Sequence, residues 1–136
     1  MKKFMITTDG NSDYTESYAK EQDVRVIPLY YNMDGKIYGG DDAQSPEDFY
    51  AMMREGKMPT TMAVNPEVVE KTFRGIIDEG YDILHIAFSS ALSGSYNVTA
   101  MVGQQLCEEL PDTKIIEIDS LSASLGQGLL IYKANE

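Results

Sequence analysis

One stretch limits the folds open to this chain more than any other: His85-Ile86-Ala87-Phe88-Ser89-Ser90-Ala91-Leu92-Ser93-Gly94-Ser95-Tyr96-Asn97. Residues 83–88 form an apolar run of strand length. It stops in a cluster of hydroxyl residues around Gly94. A helical pattern follows over 96–110, with Val98, Met101, Val102, Leu106 and Leu110 on one face. Strand, Ser/Gly turn and helix together aim unpaired backbone N–H groups and hydroxyls at one point. A helix N-terminus carries partial positive charge, which suits a phosphate or a carboxylate. Ser89, Ser90, Ser93 and Ser95 can add donors to the same anion, or one of them can simply cap the helix. These residues by themselves leave both readings open.

The rest of the chain places that stretch in a fold. Residues 4–8 are a predicted strand ending in the polar turn Thr8-Asp9-Gly10-Asn11-Ser12-Asp13. Residues 14–22 are a predicted short helix, and residues 24–31 a second, buried strand in which Pro28 marks an edge or a bulge. Asp34-Gly35 signals a tight hairpin, with 37–38 as its return. Ser45-Pro46-Glu47-Asp48 opens a helix with a cap, a first-turn proline and first-turn acids. Phe49, Met52 and Met53 are its apolar face, and Gly56 closes it. Residues 57–64 carry no regular pattern. Asn65-Pro66 opens another helix, with Val68, Val69, Phe73, Ile76 and Ile77 at helical spacing and Gly80 at its end. Residues 115–118 are a last strand, followed by Asp119-Ser120. The final helical pattern, 125–134, reaches Glu136 with no closing cap, glycine or breaker, so the chain is expected to be the front part of a longer protein.

Strands alternating with helices imply an α/β fold, a mainly parallel sheet with helices on both faces. In such sheets ligands sit outside the carboxyl ends of the strands. The ends of the three clearest strands are Thr8-Asp9, Ser89-Ser90 and Asp119-Ser120, and all bear hydroxyls or carboxylates. They are the candidate site.

Several functions are disfavoured by what the chain lacks. Its formal charge of −11 argues against nucleic acid and anionic membranes, which need clustered Lys and Arg. It leaves room for one small anion, because helix ends and hydroxyls bind a carboxylate without net positive charge. No apolar run approaches membrane-spanning length, and only Phe4-Met5-Ile6 follows the opening Met-Lys-Lys, so a cytoplasmic protein with no stable membrane insertion is expected. Cys107 has no internal disulfide partner and is expected to be a small buried residue. The one histidine, His85, lies inside a strand rather than beside the serine turn, which is not G-x-S-x-G. No His/Cys cluster suits a metal, and Asp41-Asp42 reads as solvated loop. Gly126-Gln127-Gly128 lacks the third glycine of a dinucleotide fingerprint, and no phosphate-binding Gly-Lys-Ser/Thr loop occurs. Eight methionines suit an adaptable apolar pocket. The residues thus describe a site for one small anion of unspecified kind.

Four blocks spread over nearly the whole chain resemble the DegV family, the bacterial fatty-acid-binding (FakB-like) proteins that present acyl chains to a fatty acid kinase. Ile6-Thr7-Thr8-Asp9 with Asp13 is similar to the family's T-D-S-x-x-D turn, with Gly10 where the family has serine. Val26-Ile27-Pro28-Leu29, the Asp-Gly hairpin and Phe49-Tyr50 form the second block. Pro59-Thr60-Thr61 ahead of Pro66 stands where the family often has T-S-Q-P; Thr61 matches and residues 62–64 do not. Ser89-Ser90-Ala91-Leu92-Ser93-Gly94-Ser95-Tyr96 is close to S-S-x-L-S-G-T. Asp119-Ser120 with Ser124, Gly126 and Gly128 extends that match.

The resemblance implies a first α/β lobe spanning residues 1–136, followed in full-length members by a second lobe. It implies a long-chain fatty acid as ligand, with its carboxylate on Thr61 and Ser93 and supporting roles for Thr8, Asp9, Ser90, Gly94, Ser95, Asp119, Ser120 and Ser124. It also implies a binding protein rather than an enzyme, with no metal or other cofactor, whose partner kinase performs the chemistry. The alternatives are an enzyme acting on a small phosphorylated or carboxylated metabolite, with Ser93 as nucleophile and Asp9 or Asp119 as its acid–base partner, and an interaction domain whose serines only cap helices.

Overall fold

Buried β-runs alternating with capped helices build the chain, whose residues 3–136 are described by a computed structural model. In order, the elements are β1 (Phe4–Asp9), α1 (Glu16–Glu21), β2 (Arg25–Ile27), β3 (Tyr31–Met33), β4 (Lys36–Tyr38), α2 (Pro46–Arg54), β5 (Pro59–Thr61), α3 (Pro66–Asp78), β6 (Asp82–Ala87), α4 (Ser95–Glu109), β7 (Ile115–Asp119) and α5 (Ser124–Asn135). Short 3-10 turns lie at Gly10–Ser12 and Gly40–Asp42. The caps act as their sequences imply. The Ser45 hydroxyl accepts the Asp48 N–H at 3.1 Å, and the Asn65 side-chain oxygen accepts the Glu67 N–H at 2.8 Å. Each cap is followed by a first-turn proline, whose missing N–H costs nothing there. α1 starts later than its apolar pattern suggests, because Thr15 takes the cap position and accepts the Tyr18 N–H.

The main sheet is parallel throughout, in the order β2-β1-β6-β7. α3 and α4 cover one face, where Met5, Val69, Phe73, Ile76, Ile83, Val102 and Leu106 form the larger core. Each such side chain is worth about 1.5–3 kcal/mol on burial. The other face has a smaller core, in which Ile131 of α5 meets Ile6, Val24 and Ile86. That cover thins toward β7, where Ile116 and Ile118 stay exposed. The α/β architecture with helices on both faces is therefore present. Cys107 is half-buried rather than fully inside, because Leu106 takes the core position and its neighbour is turned about 100° around α4.

Two expectations fail, for related reasons. Residues 24–31 are not one strand. Pro28 has no N–H for a ladder, so β2 stops at Ile27 on the sheet edge. The chain then enters a separate antiparallel sheet, β4-β3-β5, which holds the Asp34-Gly35 hairpin. Residues 57–64 are not all irregular either. β5 pairs with β3 in the register Tyr31↔Thr61 and Met33↔Pro59. Pro59 is the first residue of its strand, a place where proline is tolerated. This pairing places Thr61 beside the start of α4.

Candidate functional site

The ends of β1 and β6 are closed by a buried polar knot. The Thr8 hydroxyl donates to the Ile86 carbonyl at 2.8 Å. Asp9 accepts the Phe88 N–H at 2.8 Å and the Asn11 N–H at 3.1 Å. Gln127 of α5 brings its amide nitrogen within 2.9 Å of the Thr8 hydroxyl and 3.2 Å of Asp9. All three side chains are fully buried. Burial pushes the Asp9 carboxyl above its ordinary range, and the Phe88 N–H, the Gln127 amide and the Asn11 N–H oppose that shift. Gln127 reaches this position because Gly128 lets α5 close on the first turn: a Cβ there would lie 2.9 Å from the Ser12 carbonyl oxygen. Thr8 and Asp9 thus face inward and tie strand ends together. The sequence offered no sign of Gln127's part beyond the glycines on either side of it.

The β7 end is also tied to its neighbours, but at the surface. The Ser90 hydroxyl donates to Asp119 at 2.5 Å, and the Ser90 and Leu121 N–H groups donate to the same carboxylate. The Ser90 hydroxyl, with the Leu121 N–H, holds that carboxyl below its ordinary range. Ser120 accepts the Ser122 N–H and donates to the Ser122 carbonyl. Ser124 donates to Asp13. The Ser89 hydroxyl turns back to accept the Ala91 N–H. The four serines of the turn therefore do not converge. Ser89 and Ser90 shape the loop, and Ser93 and Ser95 meet.

Ser93, Gly94 and Thr61 line an open groove of about 600 Å³. Asn11, Tyr30 and Tyr31 add polar atoms, while Leu29, Met62, Phe88 and Leu92 supply apolar wall. No charged side chain lines it, although the chain as a whole is strongly acidic. The groove adjoins a second one of about 490 Å³ through the shared residues Tyr30, Met62 and Ala63, and this continues over Ile37, Val64 and Pro66. The helix that points at Ser93 is α4. Unlike α2 and α3, it has no side-chain cap and no acid in its first turn. Its positive end is therefore not offset by a local carboxylate. Uncharged walls, hydroxyl donors and a helix N-terminus beside an apolar channel suit a ligand with one anionic head and an apolar body. Two depressions of about 490 and 420 Å³ beside Arg25 and Thr72 show no comparable set of hydroxyls. Leu29, Tyr30 and Met62 are groove residues that the strand-end rule did not identify, because their positions depend on the small sheet.

Ser93 has no general base among the described residues. Asp9 is held in the buried knot and Asp119 is bonded to Ser90. His85 is fully buried and shares a 2.8 Å hydrogen bond with Thr7, and burial lowers its pKa to about 3, so it is neutral. Its register partner Glu117 is unusual: neither carboxyl oxygen has a hydrogen-bond partner. The nearby Thr99 hydroxyl directs its one proton to the Ser95 and Tyr96 carbonyls instead. Burial pushes the Glu117 carboxyl up to about 8. Among the described residues, no cluster of three or more His, Cys, Asp or Glu side chains could hold a metal ion. No described helix is long and apolar enough to cross a membrane.

The DegV family profile, described as that of an uncharacterised protein family, matches residues 3–136, and the chain belongs to the DegV family. It is 41% identical over 136 residues to the DegV domain-containing protein CPE0026 of Clostridium perfringens, covering 98% of this chain and 47% of that protein. The chain spans about half the length of the curated relatives it matches. Among solved structures it is similar to a stearic-acid-binding protein from Eubacterium ventriosum, with a TM-score of 0.89 and 27% identity over 97% of this chain and 46% of that one. A DegV family protein from Thermus thermophilus, described by its fatty acid binding, gives 0.84 and 29% over 99% of this chain and 46% of that one.

Proposed function

We propose that this chain is the first lobe of a two-lobed fatty-acid-binding protein that holds a long-chain fatty acid and presents its carboxylate to a partner acyl kinase in the cytoplasm. The observation that carries the reading is the meeting of Thr61 and Ser93 in one uncharged groove, from segments far apart in sequence. The fatty acids bound by the Eubacterium and Thermus relatives support the same ligand class. In this reading the carboxylate accepts hydrogen bonds from the two hydroxyls at the positive end of α4, and the acyl chain lies along Tyr30, Met62 and Ile37. Gly94 lines the groove beside Ser93, and a Cβ there would meet no atom within 4 Å. Ser90, Ser120, Ser124 and Asp119 shape the turn behind the site without touching the ligand, and Thr8 and Asp9 hold the strand ends beneath it.

The test is mass spectrometry of organic extracts of the purified protein, followed by titration with stearate. A fatty acid present in stoichiometric amount, or saturable stearate binding, supports the reading. An empty extract together with no stearate binding by a two-lobed form refutes it.

A further inference from the structure

Ser95 is the residue behind the head-group site, and its hydrogen bonds decide which way Ser93 points its proton. Ser95 is fully buried. Its hydroxyl oxygen accepts the Val64 N–H at 3.2 Å and lies 3.0 Å from the Ser93 hydroxyl. Its own N–H donates to the Ser93 oxygen at 3.2 Å. A serine hydroxyl has one proton and two lone pairs. If Ser93 donated to Ser95, the buried Ser95 proton would need another acceptor, and among the described residues the Ser95 hydroxyl bonds only Val64 and Ser93. Leaving a buried O–H unpaired is costly. The satisfied arrangement has Ser95 donating to Ser93. The Ser93 oxygen then accepts both the Ser95 N–H and the Ser95 O–H, which fills its lone pairs. The Ser93 proton has only the groove left to point into.

We infer that Ser95 is a specificity-determining residue that locks Ser93 as a one-way donor, so that the groove selects head groups that only accept, a carboxylate above a matched alcohol. This rests on the fatty-acid reading of the groove. An unlocked serine can donate or accept and so discriminates little between the two heads. A locked one gives a carboxylate a charge-assisted bond and gives an alcohol's proton no acceptor at Ser93. Ser95 also anchors the backbone of Val64, three residues after Thr61, and so spaces the two head-group hydroxyls. It acts through Ser93 and Thr61 and is therefore a positioning residue.

The experiment measures displacement of a fluorescent fatty acid by stearate and by octadecan-1-ol, for wild type, Ser95→Ala and Ser95→Thr. The readout is the ratio of the two affinities, which does not depend on the folded fraction. The expected result is a carboxylate preference in wild type that falls about tenfold in Ser95→Ala, where the Ser93 oxygen regains a lone pair that accepts the alcohol's proton, and returns in Ser95→Thr. If Ser95→Ala does not fold, Ser95→Cys, whose thiol is a weak donor, gives the same ratio test. An unchanged ratio in the alanine or cysteine variant, with wild type binding stearate, overturns the lock and leaves the fatty-acid reading standing. A two-lobed wild type that binds neither probe overturns both.

Discussion

Two hydroxyl-bearing regions lie within a few residues of each other in this fold and behave in opposite ways. At the ends of β1 and β6, Thr8, Asp9 and Gln127 bond to one another and to backbone, and all are sealed from solvent. At the start of α4, Ser93 sits in an open groove with Thr61, backed by the buried Ser95, whose N–H donates to Ser93 and whose hydroxyl lies 3.0 Å from the Ser93 hydroxyl. Both are polar clusters at strand ends, but in one the Thr8 and Asp9 oxygens are engaged and sealed, with only Gln127 Oε1 lacking a partner, while the other opens onto the groove. A ligand needs access as well as donors, so the sealed knot supports the fold and the lip of α4 is the candidate place for a ligand.

The largest effect expected from breaking this contrast is on the knot. Asp9→Ala removes the acceptor for two part-buried backbone N–H groups and a fully buried amide. It should cost about 3 kcal/mol or more, read as a shift of the urea midpoint. A variant as stable as wild type would mean that the knot does not hold the strand ends. At the lip, Ser93→Ala and Thr61→Ala should each weaken stearate binding by roughly 1–3 kcal/mol while changing stability much less than Asp9→Ala does. Two variants that bind as well as wild type would remove Thr61 and Ser93 from the head-group site.

A third polar row, Thr7, His85 and Glu117, leaves His85 Nε2 and both Glu117 carboxyl oxygens without hydrogen-bond partners, and it sharpens the comparison through pH. The folded Glu117 pKa, about 8, lies above its ordinary 4.5, so the fold binds that proton more tightly than the unfolded chain does. The resulting stability is full below pH 4.5 and is lost as the pH rises through 8. His85 has the opposite sign. Its folded pKa of about 3 lies below 6.5, so stability is lost as the pH falls from 6.5 toward 3. Glu117→Gln should therefore flatten the alkaline limb of a stability–pH curve and leave the acid limb in place, as measured by chemical denaturation from pH 4 to 9. An unchanged alkaline limb would show that Glu117 is not the group responsible. The smallest effect is expected at the exposed end of β7. Ser90→Ala should leave the melting temperature nearly unchanged while the Asp119 pKa rises toward its ordinary value in an NMR titration, since the Ser90 hydroxyl is the first cause of its lowering. A clear melting shift would mean that this surface pair matters more than its exposure implies.

What was legible in the chain was local. The caps at Ser45 and Asn65, the Asp34-Gly35 turn, the strand at 83–88 and the serine turn after it all follow from contacts between near neighbours. Backbone geometry and side-chain reach decide such features within a few residues. The DegV resemblance brought Thr61 and Ser93 into view as a pair, and the tertiary structure places both on one groove. Less visible were β5 and the break at Pro28, because a three-residue strand is defined by its distant partner rather than by its own pattern. The inward turn of Thr8 and Asp9 was hidden too, since their acceptors and donors come from β6 and α5, as much as 119 positions away.

The sequence by itself determined the α/β alternation, the helix boundaries and the presence of polar strand ends, because these depend on periodicity and short-range hydrogen bonding. Only the tertiary structure decided which polar residues are engaged and sealed and which open onto the groove. That follows from the count of hydrogen-bond partners supplied by remote segments, such as Gln127 for Asp9 and Val64 for Ser95, and no local pattern carries that count.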